Sequence, residues 1–283
     1  MIPVIIGAIA GAGNVLIDQF ILAKRKLGLA DHIPVTFAFL FLTTLVSLPW
    51  LGSIDLILAF NQTYIFYFIL MILLAVIWNI FYYQGLQKEK MVEFEMIMLL
   101  APLATISLAA LFYPEEFNLP VFVAALIGSI ALVLSHLKKH HLEFDKYSMH
   151  LMLAVFLMAM EAMVQKELLQ LYSPAMLYAL RTGFLALFFT IYYRPNVHRM
   201  KDSDFRLIFL SSIFGSVYMV LRFYGFNAIG VTFTTLILLL IPVFATWGDV
   251  RINGTPMRWR TVIAFLIILV CVAYATIQQS TTL

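Results

Sequence analysis

Four ionisable side chains lie inside long apolar runs of this sequence, where a charge is costly and usually serves a function. Asp18 and Glu161 are carboxylates, and Arg181 and Arg222 are guanidiniums. Burial in a low dielectric disfavours the charged form of a carboxylate, so the group can gain and lose a proton near neutral pH. We therefore predict proton coupling through Glu161, which lies near the middle of its run, and take Asp18 as the second candidate.

Polar neighbours accompany both carboxylates at helical spacing. A four-three-four spacing places one set on a single helix face, namely Gly7, Gly11, Asn14 and Asp18. A similar stripe contains Ala154, Met158, Glu161 and Gln165. We expect Asn14, Glu161 and Gln165 to contact a bound solute. The alternatives are structural ion pairs, namely Asp18 with Lys24, and Glu161 with Arg181 or Arg222.

Aromatic residues accompany Arg222 at the same spacing. Tyr218 lies four residues before Arg222, and Trp78 lies four before Tyr82, so each pair shares a helix face. An arginine beside aromatic rings can bind a carboxylate or phosphate at two points while the rings cover the apolar part of the solute. Asn79 adds a polar group one position round from Trp78. These five residues complete the predicted solute-binding set.

The apolar runs are too extensive for a soluble protein. Of the 283 residues, 63% are hydrophobic and 12% are charged, against about 45–50% and 25% in soluble domains. A helix needs about 20 apolar residues to cross the hydrocarbon core. Ten runs approach this length: 2–23, 34–52, 64–86, 91–113, 119–137, 148–168, 174–193, 206–227, 231–248 and 259–278. The sequence thus predicts an all-α polytopic membrane protein with ten transmembrane helices.

The second half of the chain repeats the first at an offset of 140 residues. Gly85 and Pro102 are 17 residues apart, as are Gly225 and Pro242. In the same register, Pro34 matches Pro174, Trp78 matches Tyr218 and Tyr82 matches Arg222. Internal repetition decides architecture before single residues do, so we predict two five-helix repeats, residues 1–142 and 143–283. We also expect two pairs, Trp78 with Tyr82 and Tyr218 with Arg222, to face a shared interior.

Basic residues are concentrated in alternate connectors between the predicted spans. Of the 18 lysines and arginines, 15 lie in or beside odd-numbered connectors, and Lys166 alone lies in an even-numbered one. Because basic connectors stay cytoplasmic, both termini are predicted to be extracytoplasmic. The connector around Asp55 has no basic residue, whereas its equivalent contains Arg194, Arg199 and Lys201. This opposite bias, with five spans per repeat, predicts that the second repeat is inverted.

Two of the apolar spans have a proline in mid-helix, in the segments MIMLLAPLATISLAALFYPEE and LILLLIPVFATWGD. With the duplication, this pattern resembles the ten-span, EamA-like branch of the drug/metabolite transporter superfamily. In that family a glycine-to-proline segment links the third and fourth helices of each repeat, and an acidic residue often follows. Glu115 or Glu116 fits the acidic position in the first repeat, whereas Thr255 and Pro256 occupy it in the second.

We interpret the chain as a secondary transporter that moves a small polar organic metabolite, such as an amino acid, by alternating access across a prokaryotic plasma membrane. Arg222 would bind the carboxylate of the solute and Glu161 its amine. The alternatives are a cationic or quaternary amine transporter with an aromatic cage of Trp78, Tyr82 and Tyr218, a lipid flippase, or a bundle that scaffolds partners.

The sequence gives little support for an enzyme, a metalloprotein or a nucleic-acid-binding protein. There is no metal-ligand spacing, no Ser/His/Asp set and no nucleotide loop, so we expect neither an enzyme nor a cofactor or metal site. The single cysteine, Cys271, excludes an intrachain disulfide. The basic residues form a belt at one membrane side, which excludes nucleic acid as a partner. The expected partners are the solute, the lipid bilayer and a coupling proton, and the expected oligomeric state is a monomer.

Overall fold

Helices account for nearly all of the part of the chain that the computed structural model describes, which is residues 1–25, 27–55, 59–88, 97–136, 146–197, 200–253 and 259–282. In chain order they are α1 (Ile2–Gln19), α2 (Leu29–Leu51), α3 (Gln62–Lys88), α4 (Leu100–Phe112), α5 (Leu119–His136), α6 (Lys146–Leu168), α7 (Pro174–Tyr193), α8 (Asp202–Ile229), α9 (Val231–Leu238), α10 (Leu240–Asn253) and α11 (Trp259–Thr282). A π-helix, Phe20–Lys24, continues α1, and a 3-10 helix, Pro114–Glu116, follows α4. The predicted all-α class is confirmed for these residues.

Ten apolar helical segments correspond to the ten predicted spans. Seven are long and apolar enough to cross a membrane, with α9 and the first part of α10 forming one segment, Val231–Gly248. The other three are shorter: Leu100–Phe112, Leu119–Ala131 and Val262–Ile277. A multi-pass membrane protein is therefore confirmed within the described residues. The inversion of the second repeat and the orientation of the termini stay predictions.

The helices follow the 140-residue spacing of the sequence. Helices α8, α10 and α11 begin at Asp202, Leu240 and Trp259, each 140 residues after the start of α3, α4 and α5. The predicted repeat boundary at 142/143 lies outside the described residues, as do six of the basic connector residues: Lys26, Lys90, Lys138, Lys139, Arg199 and Arg258. The division of the chain into two repeats therefore stays a prediction that the helix order supports.

Pro102 and Pro242 follow equivalent breaks in their spans. A proline has no amide hydrogen, and its ring clashes with the carbonyl four residues earlier, so it kinks or breaks a helix. Leu99 and Leu239, each three residues before its proline, have nearly the same backbone angles, φ −66° with ψ −13° and φ −59° with ψ −14°. The Leu239 amide is shared between two carbonyls of the preceding turn, each at 3.2 Å. The repeated proline thus produces a repeated break in the helix.

Contacts between helices group the chain into two compact units, each with segments from both halves of the sequence. Unit 1 consists of Met1–Ile72 and Gln165–Asn227. Within it α2 packs on α7, where the ring of Phe37 stacks on that of Phe189 with centroids 5.3 Å apart. Helix α1 packs closely on α8, because a Cβ added at Gly7 would lie only 3.1 Å from Leu221 Cβ. Glycine at this position therefore sets the helix spacing.

Local sequence signals set both ends of α7. Ser173 precedes the helix and its Oγ accepts a hydrogen bond from the Met176 amide at 3.4 Å, while Pro174 occupies the first helical position, where its missing amide hydrogen is not needed. At the other end Arg194 has the left-handed angles φ 49° and ψ 62°, and its amide bonds to the Thr190 carbonyl. This residue ends the helix in the way that a glycine usually does.

Unit 2 consists of Leu73–Val164 and Ala228–Leu283. Within it α5 packs on α11, and Cys271 of α11 is buried. Gly85 of α3 lies against Leu151 of α6, which is fully buried in an apolar cluster with Ile97 and Val155. The contact of α3 with α6 is important for the site because these two helices carry Trp78 and Glu161.

Replacing Gly85 with alanine is expected to destabilise unit 2 by about 1–3 kcal/mol. An added Cβ would overlap the side chain of Leu151, which has no room to withdraw. Thermal unfolding of the purified variant measures the effect. Gly28→Ala is the matched control, because the nearest atom to its added Cβ is Asp31 Oδ2 at 3.9 Å. Equal stability of the Gly85 variant and the wild type would contradict the prediction.

Candidate functional site

The buried carboxylate of unit 2 is Glu161 on α6, whose side chain is 3% exposed. Trp78 on α3 donates its indole Nε1–H to Glu161 Oε2 at 2.6 Å. A buried carboxylate is costly unless polar partners replace its lost hydration, and hydrogen bonds to charged groups are the strong ones. The structure thus brings together two of the predicted site residues, which lie 83 positions apart in the sequence.

Further aromatic residues lie close to this pair. Tyr82, one turn after Trp78, meets the indole edge to face with centroids 6.0 Å apart, and Tyr83 meets Tyr82 at 5.1 Å. Tyr113 donates its hydroxyl hydrogen to the carbonyl of Met163 at 2.8 Å, two residues beyond the carboxylate on α6. A carboxylate beside aromatic rings can attract an organic cation both by charge and by cation–π interaction.

Of the three predicted amide side chains, Asn79 and Gln165 lie in different settings. Asn79 on α3 is buried and donates to the Ala75 carbonyl at 2.7 Å, so one of its amide hydrogens is used within its own helix. Gln165 on α6 lies one turn after Glu161 and is also buried. Its Oε1 has no hydrogen-bond partner among the described residues. Because a buried amide oxygen without a partner is costly, Gln165 is the better candidate to accept a hydrogen bond from a bound solute.

In unit 1, Asn14 and Asp18 of α1 meet Ser211 of α8. Ser211 donates its hydroxyl hydrogen to Asp18 Oδ1 at 2.6 Å. The Asn14 amide nitrogen lies 2.7 Å from Ser211 Oγ and 3.2 Å from Asp18 Oδ2. Asp18 is half-buried and forms no ion pair with any described side chain. The side chain of Lys24, its alternative partner, lies outside the described set. The sequence analysis placed Asn14 and Asp18 on one face but did not identify Ser211 as their partner.

The Arg222 guanidinium of α8 lies among apolar groups of unit 1. It stands over the Phe226 ring at 5.0 Å from the centroid, and its Nη1 lies 3.9 Å from Met219 Sδ. No described carboxylate of unit 1 forms an ion pair with it. Lys166 Nζ donates to the Phe226 carbonyl at 2.7 Å, so two cationic side chains meet this end of α8. Tyr218 lies half-buried one turn before Arg222. Both positive charges thus lie towards the C-terminal end of α8, where the helix dipole favours cations.

Three further expectations are not tested by the structure. Arg181 on α7 is buried, and its ion pair with Glu161 stays a prediction. Trp78 lies in unit 2 and Arg222 in unit 1, so the interior that their pairs would share also stays a prediction. Glu115 is exposed in the 3-10 helix after α4, whereas the equivalent positions 255 and 256 lie outside the described residues.

Comparisons with known proteins agree with the resemblance found in the sequence. The profile of the EamA-like transporter family, within the drug/metabolite transporter superfamily, matches residues 146–277. Among solved structures 29 chains match. One of them is titled "Crystal structure of protein" and has a TM-score of 0.71 at 17% sequence identity. The alignment covers 98% of this chain and 98% of that chain. No curated protein matches the chain. The structural likeness shows the fold, and the family match carries the functional argument.

Proposed function

Because residues 146–277 match the EamA-like transporter family, we propose that this membrane protein is a secondary transporter for a small polar organic metabolite such as an amino acid. Two inverted repeats would alternate between inward-open and outward-open states across the plasma membrane of a prokaryote, as in other duplicated transporters. The family match supports transport in general. The class of solute is argued from individual side chains.

The observation that carries the proposal is the hydrogen bond from Trp78 to the buried Glu161. Its distance of 2.6 Å fixes the carboxylate beside an indole, and Tyr82 extends the aromatic surface. An ammonium group would be attracted by the carboxylate charge and by the ring faces.

The same carboxylate can couple transport to a proton. A proton and a solute ammonium would neutralise the same negative charge on Glu161, so each would exclude the other. Competition between a proton and a solute for one carboxylate is sufficient for exchange, since each neutralises the same charge at membrane depth. Glu161 is therefore the proposed proton carrier of the transport cycle.

The proposed partner for the other end of the solute is Arg222. It has no carboxylate partner among the described residues of unit 1, and Lys166 adds positive charge at the same end of α8. A guanidinium binds a carboxylate through two parallel hydrogen bonds, which fixes orientation as well as adding energy. In an amino acid, the ammonium group would bind Glu161 and the carboxylate would bind Arg222.

A cationic or quaternary amine is the alternative cargo. In that case the aromatic residues Trp78, Tyr82 and Tyr218 would form the cage, and the stacking of Arg222 on Phe226 at 5.0 Å would be structural. The stacking is the observation that favours this alternative, because a guanidinium already placed over a ring needs no anion.

A lipid cargo is the second alternative. Helices α5 and α11 enclose an apolar groove of about 360 Å³ lined by Leu119, Pro120, Val123, Ala124, Ile127, Val270, Cys271 and Tyr274. An acyl chain would fit this lining. No charged side chain lines the groove to bind a headgroup, so the groove supports lipid contact better than lipid transport.

Thermal stability against a solute panel tests the proposal. The panel contains amino acids, quaternary amines, nucleobases and phosphorylated sugars. A ligand that binds only the folded state stabilises it by about 2.7 kcal/mol at a hundredfold excess over its Kd. We expect stabilisation by amino acids. Stabilisation by quaternary amines alone would support the alternative cargo, and stabilisation by none of the four classes would contradict a polar solute.

A further inference from the structure

Asp18, Asn14 and Ser211 in unit 1 form a cluster in which a carboxylate, an amide and a hydroxyl group are joined by hydrogen bonds. It joins α1 to α8 through side chains 193 and 197 positions apart, and the proposed amine site does not use it. We propose that this cluster is a binding site for a monovalent metal cation of the Na⁺ class. As a coupling site it rests on the proposed transport function, but as a binding site it can be tested without any solute.

Oxygen atoms converge on one point of this cluster. The Asn14 amide nitrogen lies 2.7 Å from Ser211 Oγ, 3.3 Å from the Ser211 carbonyl oxygen and 3.2 Å from Asp18 Oδ2. An amide nitrogen has two hydrogens, so it cannot satisfy three acceptors with good geometry. A cation has no preferred direction and can satisfy all three together, since hard cations bind carboxylate, hydroxyl and carbonyl oxygens.

Asn14 can supply a further ligand by rotation of its amide. The oxygen and nitrogen ends of the group are nearly equal in size. A cation at the present position of Nδ2 would displace the amide group, and a change of side-chain rotamer that turns Oδ1 towards the cation would exchange a donor for an acceptor. The cluster would then offer up to five oxygens: two from Asp18, two from Ser211 and one from Asn14. In the present geometry the positively polarised amide hydrogens of Asn14 face these oxygens instead of a cation.

The charge of Asp18 is the second argument for a cation. The carboxylate lies in a membrane-spanning segment, is half-buried and has no ion-pair partner among the described side chains. A negative charge at such a position is disfavoured unless it is neutralised. A bound monovalent cation would neutralise it, and the exposed part of the side chain would provide the route for entry.

The local backbone fits a site between α1 and α8. Gly215 lies one turn after Ser211, and a Cβ added there would stand 3.4 Å from Asn14 Nδ2 and 3.0 Å from Leu40 Cδ2. Glycine thus gives Asn14 the space to reach the Ser211 carbonyl. Immediately after Asp18 and Gln19 the chain becomes a π-helix at Phe20–Lys24, a rare feature that is frequently found at functional sites. The described residues contain no cluster of His, Cys, Asp and Glu suited to a transition metal.

Binding of Na⁺ itself tests the proposal. Thermal unfolding of the purified protein is measured as NaCl replaces KCl at constant ionic strength and pH, together with equilibrium binding of radioactive Na⁺. We expect a saturable rise in Tm and saturable binding in the wild type. Asp18→Asn and Ser211→Ala should weaken Na⁺ binding roughly tenfold or more, because each removes a ligand contact.

Ser212→Ala is the matched control. Ser212 is the next residue on α8 and is equally buried, but it donates to the Thr36 carbonyl instead, so its variant should bind Na⁺ as the wild type does. Wild-type protein that shows no saturable Na⁺ binding and has the same Tm in NaCl as in KCl would overturn the proposal, even if stability changed with pH through Asp18. Retained Na⁺ binding in Asp18→Asn would also overturn it. Neither result would bear on the amine site, since no solute is present.

Discussion

Replacing Glu161 with glutamine is expected to lower solute transport about a hundredfold or more. Glutamine has nearly the same shape and keeps an oxygen that can accept the hydrogen bond from Trp78 Nε1, which is 2.6 Å long in the wild type. The substitution therefore removes the charge and little else. Loss of one partner from a buried charge pair costs about 2–5 kcal/mol, and about 3 kcal/mol corresponds to roughly a hundredfold.

Initial rates of uptake into proteoliposomes measure this effect, and Glu167→Gln is the control. Glu167 lies on the same helix, six residues further on, and accepts a hydrogen bond from Gln170 at 3.1 Å near the protein surface. The control variant should transport at nearly the wild-type rate. Residual transport in Glu161→Gln that still depends on a proton gradient would contradict the assignment of the proton to Glu161.

Replacing Arg222 with glutamine is expected to separate the two classes of cargo. If the solute is an amino acid, loss of a two-point bond to its carboxylate should raise KM roughly ten- to a hundredfold, since hydrogen bonds to charged groups contribute about 1.5–3 kcal/mol. An amine without a carboxylate should be unaffected. Competition between an amino acid and the matching amine, measured in wild type and variant, gives this difference directly.

Arg206→Gln is the control for Arg222. Arg206 lies on the same helix, 16 residues earlier, with an exposed side chain, so its replacement tests the general effect of removing one positive charge. The amino-acid proposal predicts loss of affinity in Arg222→Gln alone. Unchanged affinity for amino acids in that variant would contradict it and would leave Arg222 with the structural role that its contact with Phe226 suggests.

Short-range patterns predicted the helices well, because period and composition decide them locally. The 140-residue register placed Pro102 and Pro242 at equivalent positions, and matching breaks precede both, since a proline acts on its own helix wherever it lies. Within the predicted span 91–113, helical residues stand on both sides of the break at Leu99, and residues 91–96 lie outside the described part of the chain.

Contacts between helices could not be predicted from periodicity. The spacing placed Asn14 with Asp18 on one face and Trp78 with Tyr82 on another, and both pairs are close in the structure. Their partners Ser211 and Glu161 come from distant helices, and only packing decides which helices meet. A signal for Ser211 was present in the small residues Ser211 and Gly215, four positions apart on α8, since such spacing permits close approach of helices.

The most direct test of the transport function is counterflow in proteoliposomes. Vesicles loaded with an unlabelled solute from the stabilising class receive a trace of the labelled solute outside, with no ion gradient. An alternating-access transporter predicts a transient accumulation of label that saturates, is competed by the same class and is lost in Glu161→Gln. Label that enters no faster than into protein-free vesicles, or fluorescent lipid that crosses the bilayer while the solute does not, would contradict the account.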